Sequence, residues 1–161
     1  MKTFYSLAIS SIFLMLMALS FSSTAQETAF QADTIESLAK QYKNKRWLMV
    51  LWSLECPPCF KELSLISELI KQHEDLAIVI VNADEYENIS QERQDVISQF
   101  QLEHLHQYYF AEGSASTNRY QIDKHWHGEL PRSYFIDEKG KFHGKSGVLR
   151  NEHIQQWLLL D

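Results

Sequence analysis

The stretch Trp47-Leu48-Met49-Val50-Leu51-Trp52-Ser53-Leu54-Glu55-Cys56-Pro57-Pro58-Cys59 runs from an unbroken apolar segment straight into a cysteine pair. An apolar run of this length without polar alternation reads as a strand covered on both faces. Beyond it Leu63, Ile66 and Leu69-Ile70 recur at three- and four-residue spacing, which predicts a helix to about Gln72. The cysteines therefore stand where a buried strand turns into a helix, and the chain has no others. A lone pair two residues apart at a helix start is placed for thiol–disulfide chemistry more than for structure.

Chemistry assigns the two sulfurs different tasks. Cys56 falls at the helix N-cap, where free N–H groups and the positive end of the helix dipole favour an anion. Cys59 lies three residues on, on the same face, within reach of Cys56. Cys56 is thus the expected nucleophile and Cys59 the resolving thiol. Pro57 and Pro58 cost little in a first turn whose N–H groups have no helical partner. They do remove a donor from the Cys56 thiolate, and Glu55 adds a negative charge beside it. Both features lean toward a reductant. Two bland readings compete: a fixed disulfide, which would close a very short loop for little stability, and a metal site. Two cysteines do not complete a tetrahedral site; His104 and His106, or His125 and His127, could add ligands if each pair lay on one strand face.

The 161 residues suffice for one domain with a real core. Met1-Lys2, the apolar stretch Leu7 to Phe21 and the small residues Ser22-Ser23-Thr24-Ala25 read as a secretory signal over residues 1–25, cut after Ala25. The domain is then residues 26–161, exported and periplasmic: soluble after cleavage, membrane-anchored if the leader is retained. The apolar stretch falls short of a span of about 20 residues. The net charge of −6 is spread over mixed signs without a basic stripe, so nucleic-acid binding is not supported.

Along the domain, residues 26–32 read as a polar lead-in. Asp33 to Glu36 reads as a capping box opening a helix to about Tyr42. After the strand 47–52 and the motif helix, Leu76 to Val81 is a second buried strand, parallel to the first. Ser90 caps a helix to about Phe100, Tyr108 to Phe110 form a short strand, and Ser114 to Gln121 a weak helix. Ser133 to Ile136, the turn Asp137-Glu138-Lys139-Gly140 and Phe142 to Val148 make an antiparallel pair. Asn151 caps a last helix with Ile154, Trp157 and Leu158 inward. Trp47 and Trp157 read as core, and Trp52 as core or as the floor of the cysteine site. The fold class is α/β: a mixed central sheet flanked by helices.

Three segments resemble the thioredoxin superfamily, and within it the exported TlpA/ResA/CcmG-type thiol–disulfide reductases. They are Trp52 to Leu63 with its CPPC and the acid Glu62, Leu76 to Asp84 ending Val-Asn-x-Asp, and Leu130 to Gly140. The resemblance implies a thioredoxin-like fold, a cis Pro131 packed beside the cysteines, and Leu130 pairing its backbone with a bound peptide. It implies no cofactor beyond the Cys56–Cys59 couple, client proteins with cysteines or disulfides, and a membrane electron donor of the DsbD/CcdA type; on the ligand count above, no metal is expected. The chain departs from the pattern at Glu55, where the family usually has Trp, at Val50, where many thioredoxins carry a buried acid, and at Ser64 in place of a helix-kinking proline. The base for Cys59 is then unassigned; Glu62 is the candidate, although its place on the helix reads as an exposed carboxylate. Trp126 and His127 precede the proline loop, with Trp126 read as a packed rim residue.

The sequence-based expectation is therefore an exported enzyme that reduces disulfides in client proteins, apocytochrome c cysteines or one particular client among them. An oxidant that forms disulfides and a copper-delivery module on the same fold are the alternatives.

Overall fold

A computed structural model describes residues 27–159; the leader expected over residues 1–25 lies outside them. A six-stranded mixed sheet runs in the order β1-β4-β3-β2-β5-β6. Its strands are β1 (Thr28–Ala29), β2 (Trp47–Trp52), β3 (Ile78–Asn82), β4 (His106–Tyr109), β5 (Arg132–Ile136) and β6 (Phe142–Ser146). The first four are parallel, β5 runs antiparallel to β2, and β6 runs antiparallel to β5. The helices are α1 (Thr34–Gln41), α2 (Pro57–Gln72), α3 (Ser90–Gln99), α4 (Ala115–Ile122) and α5 (Asn151–Leu158).

The sheet is covered on both faces, which is why β2 reads as continuous apolar sequence. Leu48, Val50 and Trp52 point into one core with Leu63, Ile66 and Leu69 of α2, Ile97 of α3 and Ile154 of α5. Trp47, Met49 and Leu51 point into the other with Leu38 of α1, Ala115 and Ile122 of α4, and Tyr134. Period-two alternation thus sorts one strand's side chains between two apolar layers. Each large side chain buried this way contributes about 2 kcal/mol.

Several local expectations are corrected. The lead-in contains β1, whose Thr28 and Ala29 pair with Tyr108 and Tyr109 at the sheet edge. Two residues carry no periodicity, so pattern reading had nothing to detect. The capping box at Asp33 does not form: its backbone is near the helical region (φ −96°, ψ 0°) and its side chain makes no cap bond. Thr34 Oγ1 instead accepts from the Gln31 N–H at 2.8 Å, and Glu36 pairs with Lys40 at 2.7 Å. Ser90 opens α3 without capping it, because its hydroxyl donates to Glu27 Oε1 at 2.5 Å. Asn151 is the first residue of α5 rather than its cap. β3 starts two residues after Leu76, since the Ile78 N–H turns back to the Leu76 carbonyl at 2.9 Å. β6 stops before Gly147, whose φ of +83° suits glycine and whose N–H donates to the Pro131 carbonyl at 2.9 Å.

Parallel β2 and β3 both end beside the start of α2. Their register, Trp52 opposite Asn82, sets the turns after them side by side. β5 enters the sheet at the same level, Arg132 opposite Leu51, so the Leu130–Pro131 segment arrives at the cysteine end of the sheet.

Candidate active site

Cys56 is the N-cap of α2, and Pro57 and Pro58 open the helix. The Cys59 N–H donates to the Cys56 carbonyl at 2.9 Å, which closes the first turn and brings the sulfurs into a disulfide with a Cα–Cα distance of 5.3 Å. Cys56 is 7% exposed and Cys59 0%, so Cys56 is the more accessible residue of the pair. Pro57, Pro58 and Glu55 are exposed around it. Glu55 accepts a long hydrogen bond, 3.3 Å, from the hydroxyl of Tyr86, itself 57% exposed. Trp52 belongs to the same apolar cluster as both cysteines, with Leu130 packed against it. Trp52 itself is 2% exposed.

The turn leading into Cys56 is held by a carboxylate from the next strand. Asp84 Oδ1 accepts from Ser53 Oγ at 2.6 Å, and its Oδ2 accepts from the Leu54 N–H and from Asn82 Nδ2, each at 2.8 Å. Ser53 Oγ in turn accepts from the Glu55 N–H at 3.0 Å, and its carbonyl accepts from the Cys56 N–H at 3.2 Å. Hydrogen bonds to a carboxylate are the strong ones, so the backbone before Cys56 is fixed. The sequence carries this as the Val-Asn-x-Asp segment, but nothing in it says that Asp84 faces Ser53.

Glu62 corrects an expectation. It is 0% exposed, inside the protein rather than on the outer face of α2. Its Oε1 accepts from Ser133 Oγ at 2.8 Å, while Oε2 is buried with no hydrogen-bond partner. Burial disfavours the carboxylate and pushes its pKa up to about 7; the Ser133 hydroxyl and the Leu149 backbone pull the other way and do not offset it. The Leu149 backbone makes no well-formed hydrogen bond to Oε2. Glu62 lies one turn beyond Cys59, and residues three apart on a helix are neighbours, with Cβ atoms about 5–6 Å apart. Helical periodicity could not reveal the burial, because Glu62 sits beside the apolar stripe among Cys59, Leu63 and Ile66. Ser133, buried on β5, escaped sequence reading for the same reason: its partner is 71 residues away.

The Leu130–Pro131 peptide is cis, and Pro131 is buried. Leu130 packs against both cores. Among the described residues its backbone N–H and C=O have no hydrogen-bond partner. Trp126 is buried at 4% exposure with its indole N–H donating to the Glu129 carbonyl at 2.9 Å. It packs under the loop rather than forming a groove wall, while His127 is exposed. Among the described residues no group of three or more His, Cys, Asp or Glu side chains is placed to hold a metal ion. His106 lies against Gln41 at 2.7 Å, and the His125 side chain is 78% exposed. A cleft of about 550 Å³ opens between Arg46, Phe135, His143 and Trp157. It is at the far end of β5 from the cysteines, since Phe135 pairs with Leu48. Trp157 is half-buried there, edge-on to Phe135 at 5.5 Å. No helix of the described residues is long and apolar enough to cross a membrane.

No protein-family profile matches the chain, and no curated protein matches it. Solved structures do. A thiol:disulfide interchange protein of the thioredoxin family from Chlorobium tepidum aligns with a TM-score of 0.58 at 13% identity, over 74% of this chain and 83% of that one. DsbF from MTB, in mixed oxidized and reduced forms, aligns with a TM-score of 0.57 at 16% identity, over 73% and 81%. StoA from Bacillus subtilis aligns with a TM-score of 0.53 at 24% identity, over 71% and 83%. At these identities the likeness is one of fold, and the fold is thioredoxin-like.

Proposed function

We propose that this chain is an exported thiol–disulfide oxidoreductase that reduces disulfides in client proteins through Cys56 and Cys59. One observation carries the reading: a two-cysteine disulfide caps α2 with a buried, protonatable carboxyl, Glu62, one turn behind the resolving cysteine. A fixed staple has no use for a carboxyl buried at such cost.

The reduced protein begins the cycle. The Cys56 thiolate attacks one sulfur of a client disulfide, and the other client sulfur leaves as a thiolate. Cys59 then loses its proton to the Glu62 carboxylate and attacks the Cys56 sulfur. The second client sulfur leaves, the Cys56–Cys59 disulfide closes, and two electrons have passed to the client. A carboxyl near pH 7 suits this transfer, because it is available in both protonation states at neutral pH. Return to the dithiol requires a dithiol donor, which we assign to a membrane protein of the DsbD/CcdA type.

Three features support the reducing direction over the oxidising one. Pro57 and Pro58 withhold a donor from the Cys56 thiolate. Glu55 stands beside that thiolate. The apolar cluster around both sulfurs disfavours charge on either. A destabilised thiolate makes a stable disulfide and hence a reductant. The basic end, apolar run and small residues of the first 25 positions support export.

The test is trapping. Cys56→Ser is expected to abolish reduction of insulin disulfides, and Cys59→Ser to accumulate mixed disulfides that identify the client. If Cys59→Ser traps nothing under conditions in which the wild type turns over, the assigned roles are wrong. A reduction potential near the oxidising end, about −120 mV, would reverse the direction while leaving the chemistry intact.

A further inference from the structure

Leu130 enters the site with an unpaired backbone, and one side chain ties the loop carrying it to strand β6. Arg132 follows Pro131 directly, and its side chain is 14% exposed. Nη2 donates to Asp123 Oδ2 at 2.9 Å and Nη1 donates to Ser146 Oγ at 2.8 Å. Nη1 is also 3.6 Å from Glu129 Oε1, which accepts from Ser146 Oγ at 3.1 Å. The guanidinium lies over the Tyr134 ring, 4.7 Å from its centroid, and the Tyr134 hydroxyl shares Asp123 Oδ2 at 3.2 Å. Asp123 and Glu129 are the two ends of the loop before Leu130. Ser146 is the last residue of edge strand β6, beside Gly147, whose N–H holds the Pro131 carbonyl. One fork therefore ties both ends of that loop to the strand across from it.

The geometry points to Arg132 as a positioning residue for client binding: by pinning Asp123, Glu129 and Ser146 it fixes the open backbone of Leu130 beside Cys56, where an extended cysteine-containing segment can pair. An unpaired N–H and C=O held in a fixed direction bind an extended peptide through main-chain bonds with little sequence demand. Holding them rigid removes the ordering cost that a mobile loop would incur on each encounter. Gly144 on β6 fits the same assignment. A Cβ there would lie 2.3 Å from Arg132 Nη2 and 2.8 Å from Cζ, so any side chain at 144 pushes the fork off Asp123. Lysine cannot replace the fork, because a single ammonium does not span two partners in fixed geometry.

This inference rests on the redox reading above, and the experiment separates the two. Insulin reduction and the equilibrium of Cys56–Cys59 with glutathione are measured for the wild type, Arg132→Ala, Arg132→Lys, Gly144→Ala and Ser146→Ala. For Gly144→Ala the expected result is a KM for insulin raised about fivefold or more, the scale of the ordering cost that a loosened loop adds on binding, with kcat and the glutathione equilibrium at wild-type values. Arg132→Ala and Arg132→Lys should raise KM at least as much, and Ser146→Ala less. KM values within twofold of wild type overturn the inference. So does a KM rise accompanied by a shifted glutathione equilibrium, because Arg132 would then be acting on the couple and not on the client. A wild type that does not exchange with glutathione defeats the redox reading itself. Should Arg132→Ala not fold, Gly144→Ala and Ser146→Ala, both on the exposed edge strand, decide the question by the same criteria.

Discussion

Glu62→Gln in the oxidised protein is the sharpest perturbation available, because it changes a charge without changing a shape. In the folded protein burial raises the carboxyl's pKa from 4.5 to about 7. A raised folded pKa means that the native state keeps a proton which the unfolded chain gives up. The resulting stabilisation is complete below about pH 4.5 and is lost as pH rises through about 7. Across that window the wild type should lose about 3 kcal/mol from this one group. The glutamine variant cannot ionise at this position and loses nothing there. Its amide nitrogen would occupy the place of Oε2, which has no partner, at a cost of about 1–3 kcal/mol that does not vary with pH.

The assay is urea denaturation of oxidised wild type and Glu62→Gln at pH 4.5 and 8.5, with the difference between them followed against pH. Other carboxylates, Glu27 and Asp137 among them, have lowered pKa values and act in the opposite sense, but they are common to both proteins and cancel. The expected outcome is a variant weaker than wild type at low pH and equal or stronger at high pH, the difference moving by about 3 kcal/mol. A difference flat to within about 0.5 kcal/mol would refute the burial argument, and with it the claim that this carboxyl is poised near neutrality. If the argument holds, the same substitution should slow release of the mixed disulfide by about 100-fold, the usual scale for losing a positioned base.

Three further outcomes are expected. Ser133→Ala removes the hydroxyl that favours ionised Glu62, so the midpoint of the stability difference should move to higher pH; a midpoint moved downward would contradict the bond's direction. Asp84→Asn turns an acceptor-only group toward three donors and should cost roughly 2–4 kcal/mol, read as a lowered urea midpoint with an unchanged slope. Glu55→Trp takes a negative charge from beside Cys56 and should lower the pKa of its thiol, measured as the pH dependence of alkylation in the reduced protein; an unchanged or raised value would sink the electrostatic account of a reductant.

What the sequence disclosed and what it withheld divide along one physical line. β2 was legible because both its faces are buried, which leaves an unbroken apolar run, and α2 because its apolar stripe repeats at helical spacing. The cysteines were legible because chemistry restricts them to a few residue types at fixed spacing. These signals are local. The contacts that tune the site are not: Ser133 meets Glu62 across 71 residues, Asp84 meets Ser53 across 31, and Arg132 meets Ser146 across 14. Each is a polar side chain whose partner is chosen by sheet register, and a one-residue slip of β5 against β2 would turn Ser133 away from Glu62. The misread cap at Ser90 has the same origin, since its hydroxyl had a tertiary partner in Glu27 that outcompeted its own helix. It follows that a protein keeping the cysteine pair and its strand but losing the register of β5 would keep the disulfide and Glu62, which share α2, and would lose the Ser133 hydroxyl that favours the ionised carboxyl. The protonation of that carboxyl therefore depends on the pairing of two strands as well as on the motif that announces the site.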